Sequence, residues 1–136
     1  MVVSKEKLTA VSIGQKAELI AAKYLTQQGL RIVQTNYRCK MGEIDLIGRD
    51  FSHIVFVEVR YRRSNRFGGA LESISSQKCY RLERAAAHFL NYHPWTKLLF
   101  SRFDVVAISP KNDGRIDKIC TDSMNIHWIK NAFSCE

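Results

Sequence analysis

The sequence lacks the features that mark membrane-spanning, zinc-binding and low-complexity proteins. No apolar stretch approaches the roughly 20 residues that cross a bilayer, and the first residues do not resemble a signal peptide. The four cysteines, Cys39, Cys79, Cys120 and Cys135, include no Cys-x-x-Cys pair, which argues against a zinc site and favours reduced thiols. There are two prolines and no internal repeat. These absences predict a cytoplasmic protein with no membrane partner.

The sequence has an excess of positive charge. Its 136 residues include 21 lysines and arginines against 13 acids, which gives a net charge of +8, and 46% of them are hydrophobic. This length and composition suit a single domain over residues 1–136 with a real core. The charge favours nucleic acid as a partner, because each neutralised phosphate releases condensed counterions. The alternative is a basic protein without such a partner.

The hydrophobic pattern predicts a mixed β-sheet. Stretches rich in β-branched and aromatic residues, separated by turn residues, are expected to be its strands. They run over residues 30–34, 43–48, 53–61, 98–108 and 115–121. The third stretch is apolar at nearly every position from Ile54 to Val59, which is typical of a central strand covered on both faces.

Three helices are expected beside this sheet. The first is expected over residues 12–28, capped by Ser12 and stopped by Gly29. A second is expected over about 75–90 with a serine cap, and the amphipathic residues 124–133 are interpreted as a short third helix. The order helix, three strands, helix, two strands, helix predicts an α/β fold with a mixed central sheet flanked by helices.

Acidic residues lie inside the apolar strands. Asp45 and Glu58 each stand between two aliphatic residues, and buried carboxylates are costly unless they are paired or bound to a cation. A hairpin of the two strands would bring them together. Two carboxylates, a backbone carbonyl and waters suit Mg²⁺ or Mn²⁺, and such an ion would polarise a phosphodiester. Asp104, in a later strand, is expected to be a structural partner of Arg102 or Arg81.

Strand alternation places Arg60 on the same face as Glu58, with Arg62 and Arg63 just beyond. These cations could hold a phosphate beside the two acids. The alternative is that Glu58 and Arg60 form an ordinary ion pair at the end of a strand, with Asp45 hydrogen-bonded to a turn.

Around these acids the sequence resembles the YraN-like family of predicted bacterial endonucleases. That family belongs to the PD-(D/E)XK superfamily, with restriction enzymes and archaeal Holliday-junction resolvases. The resemblance covers nearly the whole chain, and the order and spacing of its motifs are specific where each motif alone is weak. The motifs are Gly14, Ala17-Glu18, Asn36-Tyr37-Arg38, Gly42-Glu43-Ile44-Asp45-Leu46-Ile47, Phe56-Val57-Glu58-Val59, Arg62, Phe67-Gly68, Lys78, Arg102-Phe103-Asp104 and Asn131-Ala132-Phe133.

The resemblance implies a restriction-endonuclease-like fold with Asp45 and Glu58 as catalytic, metal-binding acids and Glu18 as a third acid from the first helix. The family usually has lysine where this sequence has Arg60, and arginine cannot act as a general base. Arg60 would instead clamp a phosphate, and Lys78 in the second helix is the candidate replacement for the lysine. The alternative for Glu18 and for Lys78 is a solvated helix residue.

Basic and aromatic residues flank both acids. Those expected to contact a nucleic-acid backbone are Tyr37, Arg38, Lys40, Arg62, Arg63 and Arg66. Tyr37 or Phe67 could stack on a base. The alternative is exposed loop charge, with an aromatic ring packed against the edge of the sheet.

Three functions are compatible with this pattern. The first is a metal-dependent endonuclease for branched or structured DNA in recombination or repair, with DNA favoured over RNA. The second is a nucleic-acid-binding module that keeps the nuclease fold and has lost the chemistry, with Arg60 as the trace of that loss. The third is a protein-interaction domain that happens to be basic. Junction resolvases are often dimers, so analogy suggests a homodimer.

Overall fold

The computed structural model describes residues 5–62, 74–111 and 124–134, with the backbone alone for residues 5–12. Its elements in chain order are α1 Lys5–Gln27, β1 Arg31–Cys39, β2 Gly42–Arg49, β3 His53–Tyr61, α2 Ser76–Tyr92, a 3-10 helix Pro94–Leu98, β4 Phe100–Pro110 and β5 Met124–Phe133. The strand expected at 115–121 lies outside the described residues. None of the described helices is long and apolar enough to cross a membrane.

The five described strands form one mixed sheet in the order β1-β2-β3-β4-β5. β1, β2 and β3 are antiparallel neighbours, β4 runs parallel to β3, and β5 pairs antiparallel to β4. The β3–β4 pairing is parallel because the chain crosses over through α2 before it re-enters the sheet. β3 is the central strand, and residues 54–57 are buried on both of its faces, as their apolar run predicts.

The two helices cover opposite faces of the sheet. On one face α1 buries Ile20 and Leu25 in a core that includes Val57 of the sheet. On the other face α2 buries Phe89 in a second core, where its ring packs edge-on against Phe56 with the ring centroids 6.0 Å apart. Burying a large apolar side chain contributes about 1.5–3 kcal/mol, so these two cores hold the layers together. The expected α/β architecture is confirmed.

The helix boundaries are partly as the sequence predicts. Gly29 takes a φ of +98° just after α1, the left-handed conformation that ends many helices. The side chain of Ser75 accepts a hydrogen bond from the backbone N–H of Lys78 at 3.1 Å and so caps α2. The predicted start of α1 is wrong, because the helix begins at Lys5. Ser12 therefore lies inside the helix, where serine costs only about 0.5 kcal/mol relative to alanine.

Residues 124–133 form the strand β5, so the short helix predicted there is wrong. The pairing of β5 with β4 changes register within the strand: Val105 faces Ile129, whereas Phe103 faces Phe133. Asn131, with a φ of +51°, lies at this bulge. Between these two pairs β5 advances by four residues and β4 by two. The two extra residues of β5 interrupt the alternation of inward and outward side chains, and the apolar spacing therefore resembles that of a helix.

Asp104 fixes this bulge and is fully buried. Its carboxylate accepts hydrogen bonds from the backbone N–H of Asn131 at 2.9 Å, from Nε1 of Trp128 at 2.8 Å and from Nε of Arg102 at 3.0 Å. A buried carboxylate with this many donors is satisfied as a charge. Asp104 is therefore a structural partner of Arg102, as predicted.

Candidate functional site

β2 and β3 separate at Asp45. The last regular pair of their ladder is Leu46 with Val57, and one further step along the hairpin places Asp45 opposite Glu58. Here Oδ2 of Asp45 accepts a hydrogen bond from the backbone N–H of Val59 at 2.8 Å. A side-chain oxygen thus takes the place of the backbone carbonyl that would accept this bond in a regular ladder. The hairpin therefore brings the two acids together and fixes one of them to the backbone of the central strand.

The side-chain alternation of β2 also breaks at Asp45. Ile44 packs in the core beneath α2, and Leu46 packs in the core beneath α1, although residues two apart normally share a face. On β1, whose residues Thr35 and Tyr37 pair with Leu46 and Ile44, the intervening Asn36 has a φ of +52°. This irregularity leaves Asp45 at the boundary between the two layers.

Glu58 lies on the α2 side of this boundary and is 7% exposed. Its Oε2 is 3.4 Å from Nζ of Lys78. Burial, followed by the charge of Asp45 and a hydrogen bond with it, raises the pKa of Glu58 to about 7, against the opposing effect of Lys78 and Arg60. When no metal ion is bound, Glu58 therefore keeps its proton up to nearly neutral pH.

Glu18 approaches Asp45 from α1. Burial is the largest effect that raises the pKa of Glu18 and the charge of Asp45 is the second, while a hydrogen bond with Asn36 lowers it. The part of the chain that the structure describes contains no group of three or more Asp, Glu, His or Cys side chains that could hold a metal ion. Glu18 is thus a neighbour of Asp45 without forming a three-acid cluster with Asp45 and Glu58.

Asn36 is a site residue that belongs to the Asn-Tyr-Arg motif but for which the sequence predicted no role. It positions Glu18 through the hydrogen bond between their side chains, and it supplies the positive φ at the irregular point of β1. Asparagine is one of the few residues other than glycine that adopt this conformation readily. The signal for it was its place in the Asn-Tyr-Arg motif, immediately before an inward-facing aromatic residue.

Two cations accompany Glu58. Arg60 follows it on the same face of β3, and Nε of Arg60 is buried with no hydrogen-bond partner among the described residues. Lys78 reaches Glu58 from the first turn of α2, where the Ser75 cap fixes the backbone. Glu58 therefore forms a salt bridge with Lys78 of α2. The sequence suggested Arg60 of the same strand as the alternative partner.

A pocket of about 460 Å³ opens between the β1–β2 turn and α2. Asp45 lies on its wall together with the cations Arg38, Lys78 and Arg81. Gly42 allows the turn to approach the helix this closely, because a Cβ there would be 3.1 Å from the backbone oxygen of Arg81. The pocket therefore places basic side chains beside the acid pair.

Tyr37 is a core residue and not a surface one. It is 8% exposed, its hydroxyl forms a hydrogen bond with Nδ1 of His88, and its ring packs edge-on against Phe89. The base contact predicted for Tyr37 is therefore wrong, because its ring is enclosed by α2. Phe67, the other aromatic residue considered for stacking, lies outside the described residues.

The basic residues predicted to contact nucleic acid are distributed around the site. Arg38 and Lys40 are exposed at the β1–β2 turn, where Nε of Arg38 is 3.2 Å from Oε2 of Glu43. Arg62 is half-buried at the end of β3. Arg63 and Arg66 lie outside the described residues.

The fold defines the class of protein. The five described strands form a mixed sheet between the two described helices, an α/β arrangement consistent with the restriction-endonuclease-like fold.

The chain belongs to the UPF0102 family. The model of this family, described as "Uncharacterised protein family UPF0102", matches residues 17–108, a range that contains Glu18, Asp45, Glu58 and Lys78. The resemblance to the YraN-like family is thereby confirmed.

Relatives of similar length support the assignment. The UPF0102 protein of Methylococcus capsulatus is 43% identical over 123 residues, which cover 90% of this chain and 91% of the relative. The UPF0102 protein of Nitrosomonas europaea is 46% identical over 120 residues, 88% of this chain and 92% of the relative. That of Alcanivorax borkumensis is 44% identical over 123 residues, 90% and 92% of the two chains.

Proposed function

We propose that this protein is a metal-dependent nuclease that acts on branched or structured DNA, with Mg²⁺ or Mn²⁺ held by Asp45 and Glu58. The observation that supports this proposal is the meeting of the two carboxylates where β2 and β3 separate, one of them fixed by the backbone N–H of Val59 and the other buried. Carboxylates that repel each other at close range are stabilised as a pair by a divalent cation.

The donor set suits a hard cation. Val59 engages Oδ2 of Asp45, which orients the carboxylate, and a bound ion would replace the hydrogen bond between Asp45 and Glu58. The raised pKa of Glu58, about 7, reflects burial beside a like charge, and a bound cation would relieve both effects. Glu18 lies next to Asp45 but forms no three-acid cluster with the pair, so the proposal places the ion on Asp45 and Glu58. A bound ion would polarise the phosphodiester and lower the pKa of an attacking water.

The cations beside the acids have separable roles in this proposal. Lys78 carries an amine that can lose a proton, which arginine cannot do at accessible pH, so it takes the place of the lysine that the superfamily usually has at position 60. Arg60 holds a phosphate oxygen in this proposal, because its guanidinium can donate to phosphate. Arg38 and Arg81 extend this positive lining into the pocket.

Cleavage of a panel of DNAs in Mn²⁺ tests the proposal. We expect a flap or four-way junction to be cut faster than linear duplex. We expect Asp45→Asn to slow cleavage about a hundredfold or more, because a catalytic ion contributes several kcal/mol to transition-state stabilisation. Glu43→Gln is the matched control, since Glu43 is an exposed acid two positions before Asp45 on the same strand. If no DNA is cut and Asp45→Asn changes nothing, the nuclease proposal is wrong.

A second function is supported by Arg60. An arginine at the position where the superfamily usually has lysine is compatible with a nucleic-acid-binding module that has lost the chemistry. Such a module would bind DNA or RNA without metal, and its affinity would fall steeply with salt. Binding would survive Asp45→Asn and fall in the double variant Arg62→Ala with Arg63→Ala. Affinity that does not depend on salt would contradict both functions.

A further inference from the structure

Four large apolar side chains are exposed at one end of the sheet. Phe51 is 98% exposed, Leu98 is 96%, Phe100 is 72% and Trp95 is 45%. A contiguous apolar patch is uncommon on a monomeric protein unless it binds something. We refer to these four residues as the apolar end surface.

Backbone contacts place the four residues side by side. The N–H of Phe100 donates a hydrogen bond to the carbonyl oxygen of Ser52 at 2.9 Å, which joins the start of β4 to the β2–β3 turn that carries Phe51. Trp95 and Leu98 belong to the 3-10 helix that leads directly into Phe100. The surface is therefore built by two neighbouring connections of the chain.

The charged groups around the apolar end surface include three cations. The guanidinium carbon of Arg49 lies 5.4 Å from the centre of the Trp95 ring. Arg31 is the direct partner of Arg49 across the β1–β2 ladder. Lys97 is in the last turn of the 3-10 helix, between Trp95 and Leu98 in sequence. Arg49 thus lies against a ring of this surface, and Arg31 and Lys97 belong to the neighbouring strand and to the 3-10 helix.

The acid of the β2–β3 turn is already engaged within the turn. Oδ1 of Asp50 accepts hydrogen bonds from the backbone N–H groups of Ser52 at 2.8 Å and His53 at 2.7 Å. Its Oδ2 lies 3.7 Å from Arg102, and the imidazole of His53 lies 3.7 Å from Oδ1. Asp50 is thus occupied by neighbours other than Arg31, Arg49 and Lys97, whose charge is available for an anionic partner.

We infer that the apolar end surface binds single-stranded nucleic acid, with bases stacked on its exposed rings and phosphates beside Arg31, Arg49 and Lys97. Bases stack on aromatic side chains whatever their sequence, and cations between the rings neutralise the backbone. The charge argues against a second copy of this chain as the occupant. A two-fold contact places the same patch on itself and would bring the three cations of one copy against those of the other.

This surface is distinct from the acid pair. The parallel strands β3 and β4 begin at it, with His53 paired to Phe100. Glu58 lies five positions further along β3, which is roughly 17 Å at the usual rise of a strand. The inference therefore goes beyond the proposed nuclease function and does not rest on it.

The test is the binding of a fluorescein-labelled oligothymidylate, measured by fluorescence anisotropy at low salt. The double variant Phe51→Ala with Phe100→Ala is expected to bind at least about tenfold more weakly, because each stacking contact that is lost lowers affinity roughly fivefold or more. Both rings are largely exposed, so the melting temperature should change little. Lys97→Glu should also weaken binding, and it should reduce the dependence of affinity on salt.

Matched variants separate this surface from the rest of the molecule. Tyr80 is 58% exposed and has Arg84 at 5.6 Å from its ring, and it lies near the opposite end of α2, so Tyr80→Ala should bind normally. The protein has two tryptophans, Trp95 and Trp128. The oligothymidylate should quench the fluorescence of the unmutated protein, and Trp95→Phe should abolish that quenching.

Three outcomes would overturn the inference. The first is unchanged affinity in the Phe51→Ala, Phe100→Ala double variant together with no quenching of tryptophan. The second is a sedimentation experiment in which the unmutated protein is a dimer and the double variant is a monomer of the same affinity, which would make the surface a homodimer interface. The third is a loss of affinity in Asp45→Asn as large as in the double variant, which would place binding at the acid pair.

Discussion

Replacing Glu58 by glutamine keeps the size of the side chain and removes its charge. In the folded protein the pKa of Glu58 rises from its usual 4.5 to about 7, first through burial and then through Asp45. The folded state then binds the proton more tightly than the unfolded chain. The free energy of unfolding therefore falls as pH rises from about 4.5 to about 7, and it stays low above that range. The difference of about 2.5 pH units corresponds to roughly 3 kcal/mol at 1.36 kcal/mol per unit.

We expect Glu58→Gln to raise the free energy of unfolding near pH 8 by up to roughly 3 kcal/mol and to flatten the loss between about pH 4.5 and 7. This figure already includes the opposing effect of Lys78 and Arg60 on the pKa. Below about pH 4 both proteins carry a neutral side chain at position 58, and their stabilities should converge. Urea denaturation across this pH range, in the presence of a chelator, measures the effect.

Glu43→Gln is the control, because it removes the same charge from a side chain that is 48% exposed. Adding Mn²⁺ near pH 8 should stabilise the unmutated protein and not Glu58→Gln, since a ligand that binds only the folded state shifts unfolding by mass action. A loss of stability in Glu58→Gln near pH 8 would refute the effect assigned to burial. An unchanged pH profile would also refute it, because the Lys78 pair would then outweigh burial.

The remaining predictions concern the bulge, the packing of β2 and the position usually held by lysine. Asp104→Ala should lower the free energy of unfolding by about 3–5 kcal/mol, because it removes the acceptor shared by the largely buried Arg102 and two other donors. Gly48→Ala should destabilise by about 1–3 kcal/mol, since a Cβ there would lie 2.7 Å from Cδ2 of Leu30. Arg60→Lys should increase Mn²⁺-dependent cleavage at least about tenfold, because a lysine there can transfer a proton. Urea denaturation measures the first two changes, and junction cleavage measures the third.

Gly14→Ala is the control for Gly48→Ala, and each of the three variants has a result that would contradict its prediction. Gly14→Ala adds a Cβ that meets nothing within 4 Å and should stabilise the helix by about 0.5–1 kcal/mol. A loss below about 1 kcal/mol in Asp104→Ala would contradict the structural role of this acid. If Gly48→Ala and Gly14→Ala change the free energy of unfolding by the same amount, the side chain of Leu30 moves aside without cost. Faster cleavage by the unmutated protein than by Arg60→Lys would contradict the role given to lysine.

The sequence predicted the elements whose patterns arise locally. β3 was predicted with its observed bounds, because an unbroken apolar run lies between turn residues on both sides. α2 was predicted because a serine cap precedes a regular apolar stripe. β5 was mistaken for a helix, because its spacing reflects a bulge that Asp104 holds from 27 positions away. A local pattern does not reveal a contact of that range.

The sequence also predicted those contacts of the site that arise between neighbouring elements. The hairpin that joins Asp45 to Glu58 follows from neighbouring strands, so their meeting was predictable. The contact between Lys78 and Glu58 depends on how α2 docks on the sheet, which no short-range pattern specifies. The prediction for Tyr37 was wrong although the sequence contained a signal for its burial. Tyr37 lies between the polar residues Asn36 and Arg38, which are exposed, so strand alternation turns its ring inward.

The parallel pairing of β3 with β4 has a consequence for the order in which the protein folds. β2 pairs with its neighbours along the chain, β1 and β3, whereas the other edge of β3 pairs with β4, where His53 meets Phe100 across 47 positions, 100 minus 53. Closing the longer loop costs more entropy and is slower. During synthesis the N-terminal strands also leave the ribosome first. We therefore expect a newly made chain to bring Asp45 and Glu58 together before Lys78 of α2 reaches them.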